Sequence, residues 1–260
     1  MKFRFKINKY YLVGYAMASK NKPFPAWKKL EERIWQKYKD EPVYYFLNSK
    51  YINLALEQIQ VNFSTKNITS VFKKHSLILK KIYQEIFKSK EFKKLHKETE
   101  KYFNCVKKQW QKNEKKSLGL LQKISGLPIP KKQISIFITH PKSCNGKTIN
   151  QNAIVWGHKE DWKNYATIYL CHELLHIMTW PGHFQPHYDI LHALISLATN
   201  NELRIRLNKK GEYFKERKFY TEYQKIFRNL EKKILPQWKQ YLLGKLGKNI
   251  IELKNLITEK

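Results

Sequence analysis

Apolar residues along this chain follow two rhythms, short runs of strand character near residues 1–7 and 133–157 and a three-to-four-residue stripe nearly everywhere else. At the start, Phe3, Phe5 and Ile7 alternate with Lys and Arg, which predicts a first strand. Beyond Pro25 the pattern is helical to about residue 125. In AWKKLEERIWQKYKD, Trp27, Leu30, Ile34 and Tyr38 form one amphipathic stripe. SVFKKHSLILKKIYQEIFKS and EFKKLHKETEKYFNCVKKQW repeat the style. At GLPIPKK (126–132) the texture changes. QISIFITHP predicts a strand closed by Pro141, SCNGKTINQ a turn, and NAIVWG a second strand. DWKNYATIYLCHELLHIMTW predicts a helix that begins near Asp161 and stops at Pro181–Gly182, and DILHALISLATNNELRIRLN a further helix capped by Asp189. The tail from Gly211 is helical again, with a break at Pro236. These elements predict an α+β fold, mainly helical, with one small sheet. They divide into a helical N-terminal region with a short first strand (1–125), a core (126–210) and a helical C-terminal tail (211–260) packed on the core.

The length of 260 residues and 42% hydrophobic content fit one large domain or two small ones. Cys105, Cys144 and Cys171 supply neither a disulfide framework nor metal-ligand spacing, which favours a reducing, cytoplasmic location. The net charge of +30 invites a nucleic-acid reading. However, the basic residues are spread along the whole chain, and only three aspartates occur beside abundant Lys, Ile, Asn, Tyr and Phe. Compositional bias explains that charge better than a dedicated polyanion surface. The first residues superficially resemble a signal peptide, with Ala16 and Ala18 in an A-x-A arrangement, but the apolar stretch is short and diluted by tyrosines. A folded first strand is the favoured reading. No run reaches the roughly 18 apolar residues of a membrane span.

Chemistry concentrates in HELLH, residues 172–176. On a helix, His172 and His176 lie four apart on one face, so both imidazoles can address one metal ion. Glu173, one position round, can act as general base on water activated by that ion. The expected activity is hydrolysis of peptide bonds by a zinc-dependent enzyme, with Zn2+ as cofactor and a peptide or protein as substrate. A phosphate-binding reading of NGKT fails, because the glycine that motif needs is Pro141.

The third ligand has several candidates. His183 follows a tight turn after the helix, and His192 lies on the next helix. Glu202 is favoured: on a helical wheel it joins Leu191, Ile195, Ala198 and Ile205, so its carboxylate faces the core, where a bound ion would offset the cost of burial. Helper donors for a developing oxyanion are His187, Tyr188, His192 or Tyr213.

With HELLH, NNE at 200–202 and QNAIVWG at 151–157, the segment from about 133 to 207 resembles the core of a gluzincin-type zincin metallopeptidase of minimal, thermolysin-like form. The resemblance implies a small sheet packed on a zincin-type active-site helix, with His172, His176 and Glu202 as metal ligands and Glu173 as catalytic base. It also implies that Asn152 and Ala153, on the strand above the metal, bind the substrate backbone. The metzincin pattern fails, since Thr179 and Gly182 stand where its glycine and third histidine belong. Thermolysin-like enzymes carry an aspartate four residues after the glutamate ligand, and here that residue is Arg206. Two alternatives carry weight: a SprT-like protease acting on DNA-bound proteins, and a basic, helical nucleic-acid-binding protein without metal. Nucleic-acid binding is not favoured in either form.

Overall fold

A computed structural model describes residues 1–41, 70–180, 187–214 and 222–259. The fold is α+β: helices surround one four-stranded sheet. Strand β1 (Lys2–Lys6) is followed by α1 (Lys9–Ala18), α2 (Pro25–Tyr38), α3 (Ser70–Lys88) and the long α4 (Lys90–Ser125). The sheet continues with β2 (Gln133–Ile138), β3 (Asn145–Asn150) and β4 (Ala153–Gly157). Helix α5 (Tyr165–Met178) carries HELLH. A second helical rod follows, built from α6 (Tyr188–Ser196), a π-helical stretch (Leu197–Leu203) and α7 (Arg204–Asn208). Helices α8 (Glu222–Leu242) and α9 (Ile250–Thr258) complete the chain.

The strand order is β1-β2-β4-β3. β1, β2 and β4 run parallel, and β3 lies antiparallel to β4 at the edge. The predicted first strand is therefore part of the core sheet, in register with β2 from Lys2↔Gln133 to Lys6↔Phe137. The segment read as a turn, NGKTIN, is strand β3. As an edge strand with few buried positions it needs no run of β-branched residues, so its composition hides it. Its pairing slips by one residue between Thr148 and Asn150, a bulge at Ile149.

Alternation along the strands separates two cores. Ile134, Ile136, Ile138, Ile154 and Trp156 face α5, the π-containing rod and α8. Phe137, Ile149 and Val155 face the other way, onto α1, α2 and α3, where Trp27, Leu30 and Ile34 complete the predicted α2 stripe. Helix α4 joins the two cores, with Leu95 in one and Val106, Trp110, Leu121 and Ile124 in the other. Helices α1, α2 and α3 thus pack behind the sheet, on the face away from HELLH, whereas α4 reaches round to pack on α5.

Local rules explain the ends. Asn8 caps α1, accepting from the amides of Tyr10 and Tyr11, and Ser89 caps α4 through Phe92. Gly126 closes α4 at φ 68°, and a Cβ there would strike the Lys248 carbonyl. The expected start of α5 at Asp161 is corrected: the amides of Tyr165 and Ala166 are satisfied by Glu160, and that of Thr167 by Gln109 of α4. The break expected at Pro236 is likewise absent, since α8 runs through it.

Candidate metal centre

Helix α5 is buried almost all round, as expected for a helix enclosed between a sheet and other helices. His172 and His176 stand on one face, with their Nε2 atoms 3.1 Å apart. Two nitrogens bound to one tetrahedral ion at ordinary zinc distances stand about 3.3 Å apart, so this spacing suits a shared cation.

The hydrogen bonds behind His172 fix its tautomer. Thr199 Oγ1 lies 2.7 Å from the Ile195 carbonyl, which can only accept, so the hydroxyl proton goes there. Thr199 Oγ1 also lies 3.1 Å from His172 Nδ1 and must accept from it. The remaining Nε2 is a bare lone pair aimed at the space shared with His176. Burial pushes the His172 pKa well below its usual value, and the neighbouring His192 adds to this. A neutral imidazole is the form that binds metal.

His192 of α6 completes the group. Its ring centroid lies 5.4 Å from that of His172 and 5.2 Å from that of His176, and one ligand atom from each of the three falls within 4.8 Å of the others. It is the sole such group among the described residues.

The favoured third ligand, Glu202, is not brought to this group. Its carboxylate instead takes hydrogen bonds from Arg206 Nε and the Tyr213 hydroxyl, and Trp238 Nε1 donates to that hydroxyl from 3.1 Å. The α-helical wheel misplaces Glu202 because residues 197–203 form a π-turn, which alters the rotation per residue between Ile195 and Glu202. Arg206, standing where a thermolysin-like aspartate would be, is the partner that holds the carboxylate away. His183 lies outside the described residues.

Glu173 is buried beside the histidines, on the side of the sheet edge. Its Oε2 accepts from the Thr148 amide at 2.6 Å and from the Thr148 hydroxyl at 2.9 Å. Burial raises its pKa to about 7, against the lowering effect of the two Thr148 hydrogen bonds. Gly146, two residues earlier on β3, makes room here: a Cβ would come within 2.7 Å of the Trp156 ring and 3.9 Å of Glu173 Oε1.

A cleft of about 470 Å³ opens over this group, walled by β3 from Gly146 to Ile149 and by Trp180 and Tyr188. The substrate strand expected at Asn152–Ala153 is therefore misplaced. Asn152 sits exposed in the β3–β4 turn, and Ala153 opens the inner strand β4, whose hydrogen-bonding edges are taken by β2 and β3. Among the described residues the sheet edge beside the histidines belongs to β3. Trp156 is a core residue, 1% exposed. Of the expected helper donors, Tyr188 reaches the cleft, whereas Tyr213 is committed to Glu202.

Two residues of the site, Thr148 and Thr199, have no counterpart among the sequence expectations. Thr199 lies seven residues after His192, two turns along the same helical face, which is a usable signal. Thr148 gave none, because its strand was not recognised. Searches against protein-family models, curated proteins and solved structures find no match to this chain.

Proposed function

We propose that this chain is a metal-dependent peptidase, with His172, His176 and His192 holding zinc and Glu173 as general base. One observation carries the reading: three imidazoles converge beside a buried glutamate at the edge of the described sheet. Three nitrogen ligands and an open side suit zinc, and the thiolates that a structural zinc site favours are absent from the group. An ion held there supplies Lewis acidity toward water and toward a substrate carbonyl.

The chain's own residues supply the rest. Glu173, with a pKa lifted toward neutrality, is matched to accept a proton and return it to a leaving amine. Thr148 fixes one carboxylate oxygen by two hydrogen bonds and leaves the other for the water. Among the described residues β3 is the strand at the sheet edge beside the histidines, and its outer side, where Glu173 already takes the Thr148 amide, could pair elsewhere with an extended peptide as an added strand. Such binding reads backbone more than side chains, so a broad preference for unfolded segments follows. Tyr188, which lines the cleft, would be the phenol to steady a developing oxyanion.

The test is turnover of casein by the zinc-loaded chain and by Glu173→Gln. Loss of activity by roughly a hundredfold or more, with zinc content unchanged, supports the reading. Equal activity in the two proteins refutes it. No described helix is long and apolar enough to cross a membrane.

A further inference from the structure

A second pocket, of about 750 Å³, lies between the start of α5 and the loop after α7. Its inner wall holds Arg204, 5% exposed. A guanidinium stays charged, and burying it without an anion is costly. Arg204 meets no carboxylate among the described residues. Its Nε donates to the Asn200 carbonyl at 2.7 Å, its Nη2 to the Glu212 carbonyl, and its guanidinium lies 5.8 Å above the Trp162 ring. Burial and the nearby Arg228 cation both lower its pKa, with only the Tyr169 phenol acting the other way.

Nη1 is left over: no acceptor serves it among the described residues. Gly211, at φ 116°, clears the space beside it, since a Cβ there would sit 2.7 Å from Nη1. Lys163 and Lys210 also line the pocket, and among its described lining residues the exposed Glu212 is the one carboxylate. Three cations against one anion leave an excess that a dianion matches better than a monoanion. Trp162 and Phe214 add aromatic faces beside the charge.

We propose that this pocket binds a phosphate monoester carrying an aromatic group, its phosphate seated on Arg204 Nη1 between Lys163 and Lys210. The site is separate from the histidine cleft and does not depend on the peptidase reading. The two pockets share no wall residue, although a ring series from Trp162 through Tyr165 and Tyr169 to His172 runs between them.

The test uses the full chain in EDTA, at constant ionic strength held with chloride, titrated calorimetrically with inorganic phosphate, phenyl phosphate and benzoate. Saturable binding of phosphate and tighter binding of phenyl phosphate are expected, with benzoate weakest. Lys163→Gln/Lys210→Gln, two exposed changes that spare the fold, should weaken phenyl phosphate binding roughly tenfold. Arg204→Gln should abolish it. Should that variant unfold, as judged by circular dichroism, the lysine pair decides alone. No saturable binding, benzoate equal to phenyl phosphate, or undiminished binding by the lysine double variant would each overturn the proposal.

Discussion

Thr199 Oγ1 receives the Nδ1 proton of His172 across the gap between two helices, at 3.1 Å. That contact sets which nitrogen of His172 is left for a metal, and it comes from the same helical rod that delivers His192. His192 and Thr199 therefore sit on one continuous helical rod. Thr199→Val removes the acceptor and keeps the shape. We expect zinc affinity to fall by about 10–100-fold, with thermal stability in EDTA changed little, as read by competition with a fluorescent chelator. Unchanged affinity would mean that Thr199 does not orient the ligand.

Glu202 is expected to be structural. Its hydrogen bonds from Arg206 and Tyr213 tie the π-turn to the loop that follows α7. Burial pushes the Tyr213 hydroxyl pKa well up, and the Glu202 carboxylate adds to this, so the phenol stays a proton donor. Glu202→Ala leaves that donor and Arg206 without their acceptor, at a cost of about 1–3 kcal/mol. Urea unfolding should show the loss, while zinc stoichiometry stays intact.

The pH dependence of the metal-free chain separates Glu173 from His172. The folded state holds the Glu173 proton to about pH 7, against an ordinary 4.5, so its contribution to stability falls as pH rises between those values. His172 acts oppositely: its folded pKa is depressed, so its cost appears as pH drops below its ordinary 6.5. Comparing wild type with Glu173→Gln in EDTA cancels the histidine. The variant's relative stability should grow from pH 5 to pH 8 by about 3 kcal/mol. A flat difference would show that Glu173 is not desolvated.

Much of this was legible in the sequence, and the failures have identifiable causes. HELLH declared itself because four-residue spacing on a helix is geometry that composition cannot hide. Strand β2 and the α2 stripe were readable from burial periodicity. Strand β3 was not, since an edge strand satisfies half its backbone with solvent and can be built from Asn, Gly, Lys and Thr. Asn152 and Ala153, the substrate strand that the resemblance implies, lie in the β3–β4 turn and on the inner strand β4. Glu202 failed for a different reason: a helical wheel assumes constant rotation, and the π-turn at Leu197–Leu203 breaks that assumption. Its burial was foreseen correctly; its partner was not.

The first strand gives a further check. β1 is hydrogen-bonded along β2, and Phe3 stacks on Trp110 at 4.3 Å. An N-terminal cover over the cleft would predict more activity once those residues are removed. Deleting residues 1–18 should instead yield insoluble or unfolded chain, because β2 would lose its pairing partner and α3 the helix packed against it. A soluble, more active product would contradict this.

Metal content of three proteins tests the centre most directly: wild type, His192→Ala and Glu202→Ala, each equilibrated with zinc and desalted before elemental analysis. About one zinc per chain is expected in wild type and in Glu202→Ala, and little in His192→Ala. Zinc kept by His192→Ala but lost from Glu202→Ala would contradict it.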